Sequence, residues 1–187
     1  MESFFSNNAH LLMENPELFK KLQEIAIPKT FEKGELMHEA NAICKHFFLL
    51  TSGLARVFYF KDGKDVTVYI AQEEESITAI DSFIQRKKSK YNIEALEDIE
   101  CIMISREDID RLSVESHQFE HFSRLFLEKA YMDLAERLDS ILLHTTQERY
   151  EDLLEKRPDF FQRVPGKHLA SFLGMTPENF SRIRAKQ

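Results

Sequence analysis

The sequence predicts an α+β fold in which short strands come first and helices follow. Two segments, LARVFYF and VTVYIA, are rich in β-branched and aromatic residues and flank Asp62-Gly63, a pair typical of a tight hairpin turn. Residues 116–143 contain neither Gly nor Pro, and apolar residues recur there every three or four positions, which indicates one long helix. Short helical stretches separated by Pro and Gly follow. We therefore expect a β-roll or sandwich, a long helix and a small all-α module, in that order.

Composition narrows the class of protein. The 187 residues, 43% of them hydrophobic, are enough for about one to one and a half domains and exclude a disordered chain. No apolar run reaches the roughly 20 residues of a membrane span, and the first residues lack the pattern of a secretory signal. Cys44 and Cys101 have no metal or redox spacing, which favours a reducing compartment. We expect a cytoplasmic protein with no membrane partner.

Charge is distributed unevenly along the chain. The net charge is −7, yet residues 162–187 contain five cations and one carboxylate, for a local charge of +4. The other residues therefore carry −11. Such asymmetry is expected when one small module meets phosphate, although a solvated basic terminus is the alternative. The charged residues of this segment are Arg163, Lys167, Glu178, Arg182, Arg184 and Lys186.

The final segment has the signals of a helix-turn-helix. Gly174 is suited to the left-handed conformation that ends a helix, Thr176 is a good N-cap, and Pro177 fits the first helical position. The predicted first helix uses Val164, Leu169, Ala170 and Leu173 as its apolar face, and the second uses Phe180 and Ile183. Two short helices joined by a Gly-containing turn form the motif that places a recognition helix in the major groove.

Polar residues of the second helix supply a candidate DNA-reading surface. Glu178 and Arg182 are four positions apart and so lie on one side of the helix, where a carboxylate can accept from cytosine and a guanidinium can bind guanine bidentately. An ordinary surface ion pair is the alternative interpretation. The full set of predicted DNA-binding residues is Lys167, Thr176, Glu178, Asn179, Ser181, Arg182, Arg184 and Lys186.

The long helix predicts a second subunit. One apolar stripe would suffice to pack the helix on the strands, but a second line through Leu125, Met132, Ala135 and Leu142 occupies another side. The same helix of a partner chain is the simplest cover for it, and a fully buried helix in a monomer is the alternative. The predicted dimer-helix residues are Phe119, Phe122, Phe126, Ala130, Leu134, Leu138 and Ile141.

The order of these parts resembles the Crp–Fnr family of bacterial transcription regulators, and the most specific stretches are KGELMHEANAICKHFFLLTSGLARVFYF and HLASFLGMTPENFSRI. The resemblance implies a cyclic-nucleotide-binding-like effector domain at 1–115, a double-stranded β-helix (β-roll). It further implies a dimerisation helix at 116–143 and a helix-turn-helix DNA-binding domain at 144–187. Partners would be a second copy, a palindromic operator and RNA polymerase, with Glu178 and Arg182 matching the family's base-reading pair.

The effector segment departs from the family's pattern. Nucleotide-binding members carry a Gly-Glu pair and a downstream Arg-Ser or Arg-Thr pair, which hold the ribose and the phosphate. The matching positions here are Thr78 and Ala79, then Ser89 and Lys90. We therefore expect no cyclic AMP binding, an effector that is another small molecule if there is one, and no cofactor. Two cysteines cannot supply the four ligands of an iron–sulfur cluster, and no metal site is predicted.

Two other functions remain open at this stage. The terminal helices of a small-ligand sensor could bind a protein partner instead of DNA. A β-roll metalloenzyme would need closely spaced histidines, but only His38 and His46 fall on strands, so we do not expect an enzyme. The favoured hypothesis is a dimeric, sequence-specific DNA-binding transcription regulator, with 144–146 as the hinge between its roll and its terminal module.

Overall fold

A computed structural model describes residues 15–186 of the chain. Strands dominate the first part of this range, and helices occupy nearly all of it after residue 105. The strands are β1 (Ile27–Phe31), β2 (Leu36–His38), β3 (His46–Ser52), β4 (Ala55–Lys61), β5 (Lys64–Ala71), β6 (Ser76–Ile77), β7 (Asn92–Ala95) and β8 (Ile99–Ser105). The helices are α1 (Pro16–Ile25), α2 (Ile80–Gln85), α3 (Arg106–Glu115), α4 (His117–Leu143), α5 (Thr146–Lys156), α6 (Phe160–Arg163), α7 (Gly166–Phe172) and α8 (Pro177–Arg184).

The strands form two four-stranded antiparallel sheets that enclose an apolar core. Their strand orders are β1-β8-β3-β6 and β2-β7-β4-β5. Between β4 and β5, Asp62 (φ 52°) and Gly63 (φ 74°) both have positive φ, as the predicted hairpin turn requires. Leu50 and Ile93, one from each sheet, are fully buried in the core. The predicted α+β fold with an N-terminal β-roll is therefore confirmed.

Helix α4 packs within the subunit near its N-terminus, which we call its inner half, and is more exposed toward its C-terminus, which we call its outer half. Ser116 is its N-cap and accepts a hydrogen bond from the backbone N–H of Phe119. Phe119 and Phe122 are buried with residues of α1 and α3, and Phe126 packs edge-on against Phe47 of β3 at 5.2 Å between ring centroids. These three members of the predicted dimer-helix set therefore pack within the subunit. The exposed part of the stripe begins beyond them.

The terminal helices rest on the second sheet. Leu54, Ile70 and Leu96 of the roll belong to the same apolar cluster as Phe160 of α6 and Leu169 of α7. Burial of apolar side chains on this scale contributes about 1.5–3 kcal/mol for each fully covered residue. The helix-turn-helix is thus docked on the roll and is not an independent body on a tether.

No helix within residues 15–186 combines the length and the apolar character needed to cross a membrane. The prediction about a secretory signal concerns mainly residues 1–14, which lie outside the described residues.

Candidate nucleic-acid interface and effector segment

The predicted helix-turn-helix forms as α7, a turn and α8. Gly174 has φ +67°, and the Met175 backbone N–H donates to the Ala170 carbonyl at 2.9 Å, which closes the end of α7. Thr176 caps α8 by accepting from the Asn179 backbone N–H at 3.2 Å. One boundary differs from the prediction. Val164 precedes α7 because Pro165 supplies the helix N-cap, and its side chain still joins the buried cluster.

Helix α8 has a buried side and an open side. Phe180 and Ile183 are buried, and Phe180 packs against Tyr150 at 5.6 Å between ring centroids. The opposite side faces solvent because no other part of the described chain covers it. The predicted DNA-binding residues that are exposed are Lys167, Thr176, Glu178, Ser181, Arg182, Arg184 and Lys186, whereas Asn179 is half-buried.

Glu178 and Arg182 do not pair with each other among the described residues. The Arg182 guanidinium donates to the Asn179 side-chain oxygen at 3.1 Å, and the Asn179 amide donates to the Thr146 hydroxyl at 3.4 Å. Hydrogen bonds from the Glu178 backbone N–H and from Thr176 lower the pKa of the Glu178 carboxyl. The carboxylate is therefore ionised at neutral pH and can accept from a donor outside the chain.

Arg163 has a different role from the one its place in the basic segment suggested. It donates to Glu97 (Nη2–Oε2 2.6 Å) and Glu73 (Nη2–Oε1 2.6 Å), and these hydrogen bonds to the two carboxylates raise the pKa of the guanidinium. Nearby, Arg157 forms a bidentate pair with Glu75. We refer to these five residues as the arginine clamp. The clamp joins α5 and α6 to the roll and leaves four exposed cations in the basic segment, not five.

Further polar contacts reinforce the docking of the terminal helices. The Ser171 hydroxyl of α7 accepts from the Thr67 backbone N–H of β5 at 2.9 Å. Arg137 of α4 donates to the Phe172 carbonyl at 2.6 Å and lies over the Phe172 ring, 3.9 Å from its centroid. Burial, followed by the nearby Arg149, lowers the pKa of Arg137 to about 10. The module therefore contacts both the roll and the long helix.

His168 lies beneath the helix-turn-helix, on the side that faces the roll. It is buried, and Arg56 of β4 is a close charged neighbour, itself bound to Asp65 at 2.6 Å and Glu94 at 2.7 Å. Burial first, and the positive charge of Arg56 second, lower the pKa of His168 to about 4. The imidazole is consequently neutral at physiological pH.

The outer half of α4 exposes large apolar side chains along much of its length. Leu134 is 65% exposed, Leu138 54% and Ile141 52%, and Ala130 is exposed as well. Leu127, Tyr131, Met132 and Leu142 are also more than half exposed. An apolar strip of this length is unusual on a monomer surface and is typical of an interface.

In the predicted effector segment, polar groups bind one another. The Thr78 hydroxyl donates to the His46 carbonyl at 2.9 Å, and Ala79 is fully buried. Ser89 is 2% exposed, and its backbone bonds to Asn41 and Ala42. The exposed Lys90 ammonium lies 5.5 Å from the Tyr59 ring centroid and 5.0 Å from that of Tyr91. The four residues lie at two ends of one short segment, and Asp81 connects these ends.

Asp81 was not among the predicted site residues. Its carboxylate accepts from the Ser82 backbone N–H at 2.7 Å, the Ser89 hydroxyl at 2.8 Å and the Lys90 backbone N–H at 3.3 Å. In the sequence, an Asp shortly after a strand, followed eight or nine positions later by a Ser and a backbone donor, is only a weak indication of a binding site. The arginine clamp gave no local signal, since its partners are up to 90 positions apart.

Comparison with known proteins agrees with this architecture. Residues 28–116 match the family model of the cyclic nucleotide-binding domain. No curated protein sequence matches the chain significantly.

Solved structures extend the likeness beyond that domain. FixK2 from Bradyrhizobium japonicum has a TM-score of 0.72 at 14% identity, over 87% of this chain and 84% of that chain. The c-di-GMP-responsive global regulator CLP from Xanthomonas campestris has a TM-score of 0.69 at 15% identity, over 90% and 89%. The catabolite activator protein of Thermus thermophilus has a TM-score of 0.57 at 18% identity, over 94% and 85%.

Together these findings identify the type of domain and the fold. Residues 28–116 match the cyclic nucleotide-binding domain, and the described part of the chain has the fold of solved structures that include a protein from Eubacterium rectale assigned to the Crp–Fnr family of transcriptional regulators (TM-score 0.71, 19% identity, over 94% of this chain and 85% of that chain). The resemblance found in the sequence is thereby confirmed at the level of domain and fold.

Proposed function

We propose that this protein is a dimeric, sequence-specific DNA-binding transcription regulator of the Crp–Fnr type. The observation that carries the proposal is the two-sided character of α8. Its apolar residues hold it on the module, while an ionised carboxylate and a guanidinium stand open one helical turn apart. This is the geometry with which a recognition helix reads base edges in the major groove.

Charge supports the same conclusion. Three exposed cations, Arg182, Arg184 and Lys186, lie on or just after α8, and Lys167 is exposed on α7. The rest of the protein carries a net negative charge, so this surface is favoured for contact with the phosphates of a duplex. Each cation that contacts a phosphate makes the affinity for DNA more dependent on salt.

The exposed strip on α4 supports a homodimer. Two copies of the strip could cover each other in a symmetric helix pair, which would place two terminal modules on one assembly. A two-fold protein reads a two-fold operator, with half-sites separated by about one turn of the duplex.

Selection of bound duplexes from a random DNA pool tests this function. We expect a palindromic consensus whose half-sites contain the guanine and cytosine contacts of Arg182 and Glu178. A pool that shows no enrichment would instead favour the sensor alternative, in which the terminal helices bind a protein partner.

Subunit pairing has its own test. Replacing both Leu134 and Leu138 by Glu places four like charges in a symmetric pair, and we expect a monomer whose operator affinity is at least roughly 100-fold lower. Sedimentation velocity measures the mass, and the circular dichroism spectrum should stay unchanged because both side chains are exposed. Exchanging the exposed Glu120 for Gln, on the same helix, is the matched control. A double variant that remains dimeric would exclude this strip as the interface.

A further inference from the structure

The strongest unassigned feature is the set of donors around the Asp81 carboxylate. Its Oδ1 atom accepts from the Ser82 backbone N–H at 2.7 Å and from the Ser89 hydroxyl at 2.8 Å. Its Oδ2 atom accepts from the Lys90 backbone N–H at 3.3 Å. These donors come from α2 and from the segment between α2 and β7, so one carboxylate joins the helix to the segment that follows it.

The direction of the Ser89 hydroxyl is fixed by its other bond. Its oxygen accepts from the Tyr91 backbone N–H at 2.9 Å, which leaves the hydroxyl proton for Asp81. Because Ser89 is almost fully buried, this donor cannot turn to bulk water without cost. The Ser82 backbone N–H also donates to the Ala79 carbonyl at 3.0 Å, so the donors that depend on Asp81 are the Ser89 hydroxyl and the Lys90 backbone N–H, which converge on its carboxylate.

Further bonds hold this position in place without using Asp81. The Ser82 hydroxyl accepts from the Cys44 backbone N–H at 2.8 Å and donates to the Lys87 carbonyl. The Ser89 backbone N–H donates to the Ala42 carbonyl at 2.9 Å, and its carbonyl accepts from the Asn41 N–H at 2.7 Å. The donor geometry is thus built by the surrounding loops and can persist when Asp81 is shortened.

Local charge also favours an anion at this place. Lys87, Lys88 and Lys90 are exposed cations within the same segment. A carboxylate and a small oxyanion such as sulfate or phosphate both present adjacent, negatively charged acceptor oxygens, and both form strong bonds with N–H and O–H donors.

We propose that Asp81 is a built-in ligand of an oxyanion pocket formed by the backbone N–H groups of Ser82 and Lys90 and the hydroxyl of Ser89. The carboxylate occupies the place that an external sulfate or phosphate group would otherwise take. Removal of the carboxylate opens the pocket to a small oxyanion. If the proposed function holds, Asp81 keeps the effector segment of this regulator closed, and no anionic effector is needed to close it.

The experiment compares the full-length wild type with Asp81→Ala in sulfate and in chloride at equal ionic strength. In chloride we expect the variant to unfold about 5 °C below the wild type, because several charge-assisted bonds are lost. Millimolar sulfate should restore most of this loss in the variant and leave the wild type unchanged. Hydrogen exchange at the Lys90 amide should be at least roughly tenfold faster in the variant and slow again with sulfate.

Asp152→Ala is the matched control, since Asp152 is a half-buried carboxylate on α5 that forms an ion pair only with Lys156 in the described structure. It should show no response specific to sulfate. An equal sulfate response in wild type and Asp81→Ala, or a variant as stable as wild type in chloride, would overturn the proposal.

A variant that does not fold in chloride still gives a result. Sulfate that restores a cooperative unfolding transition supports the pocket. If neither anion does so, Asp81→Ser, which removes the charge and shortens the side chain but keeps one polar group, is measured in its place. Absence of a sulfate-specific gain in that variant overturns the proposal. None of these measurements involves DNA, so their failure and the failure of the proposed function are distinguishable.

Discussion

Helix α8 and the segment around Asp81 were both predicted as binding regions, and they treat their polar groups in opposite ways. In α8 the charged side chains extend into solvent, and Glu178 and Arg182 leave each other unpaired. Around Asp81, by contrast, the Ser89 hydroxyl and the Lys90 backbone N–H are bound to the same carboxylate. A region that awaits a partner keeps bonding capacity free, whereas a region with paired donors gains stability and gives up that capacity.

The largest expected effect is on the pH dependence of stability, and it comes from His168, which is buried between the terminal module and the roll. Folding lowers the pKa of His168 from 6.5 to about 4, so the unfolded chain takes up its proton first as the pH falls. The stability contributed by the neutral imidazole is complete above about pH 6.5. We expect about 3 kcal/mol of it to be lost by pH 4, at about 1.4 kcal/mol per pKa unit.

Urea unfolding at several pH values measures this loss. His168→Gln should reduce the acid sensitivity, while His144→Gln, which removes an exposed imidazole, should leave it unchanged. Burial also lowers the pKa values of His38 and His46, but both remain in every variant and cancel in the comparison. If the free energy of unfolding fell equally steeply with decreasing pH in wild type and in His168→Gln, the expectation that burial of a neutral His168 causes the acid sensitivity would be wrong.

The open side of α8 provides the second effect. Arg182→Ala should reduce affinity for the selected operator by roughly 10–100-fold, because a bidentate contact with guanine is worth about 1–3 kcal/mol. Stability should change by less than about 0.5 kcal/mol, since the side chain is exposed. Competition binding against duplexes altered at each position measures both affinity and base preference.

Lys156→Ala is the control for Arg182, because it removes an exposed cation on α5 and should not change base preference. A loss that is uniform over all sequences would assign Arg182 to phosphate contact and not to base reading.

The smallest expected effect comes from the closed segment. Cyclic AMP should change neither the unfolding temperature nor the operator affinity, because the four positions expected to meet the nucleotide supply no carboxylate or guanidinium. Calorimetric titration with cyclic AMP up to millimolar concentration checks this expectation. A saturable heat of binding would mean that the segment opens to cyclic AMP. The segment would then differ from α8 only in how readily its polar groups become free.

Local signals made much of the fold predictable. Asp62-Gly63, the Thr176 cap and the positive φ of Gly174 depend on residues within a few positions, so their chemistry is legible in the sequence. The apolar period of α4 likewise identified the helix, but it could not separate Phe119 and Phe122, which pack within the subunit, from Leu134, which does not.

Contacts between distant segments were not predictable. Arg163 was assigned to the basic surface by its place in the sequence, yet Glu73, 90 positions earlier, holds it against the roll. Asp81 is not among the predicted site residues because the family's pattern includes only the positions that hold a ligand. A residue that replaces the ligand falls outside that pattern.

The arginine clamp has a mechanical consequence. Glu73 and Glu75 immediately precede β6, which leads into Thr78 and the segment around Asp81, and Arg157 grips Glu75 across 82 chain positions. The clamp therefore connects β6 directly to α5 and α6, by a route that includes neither α4 nor the predicted hinge at 144–146.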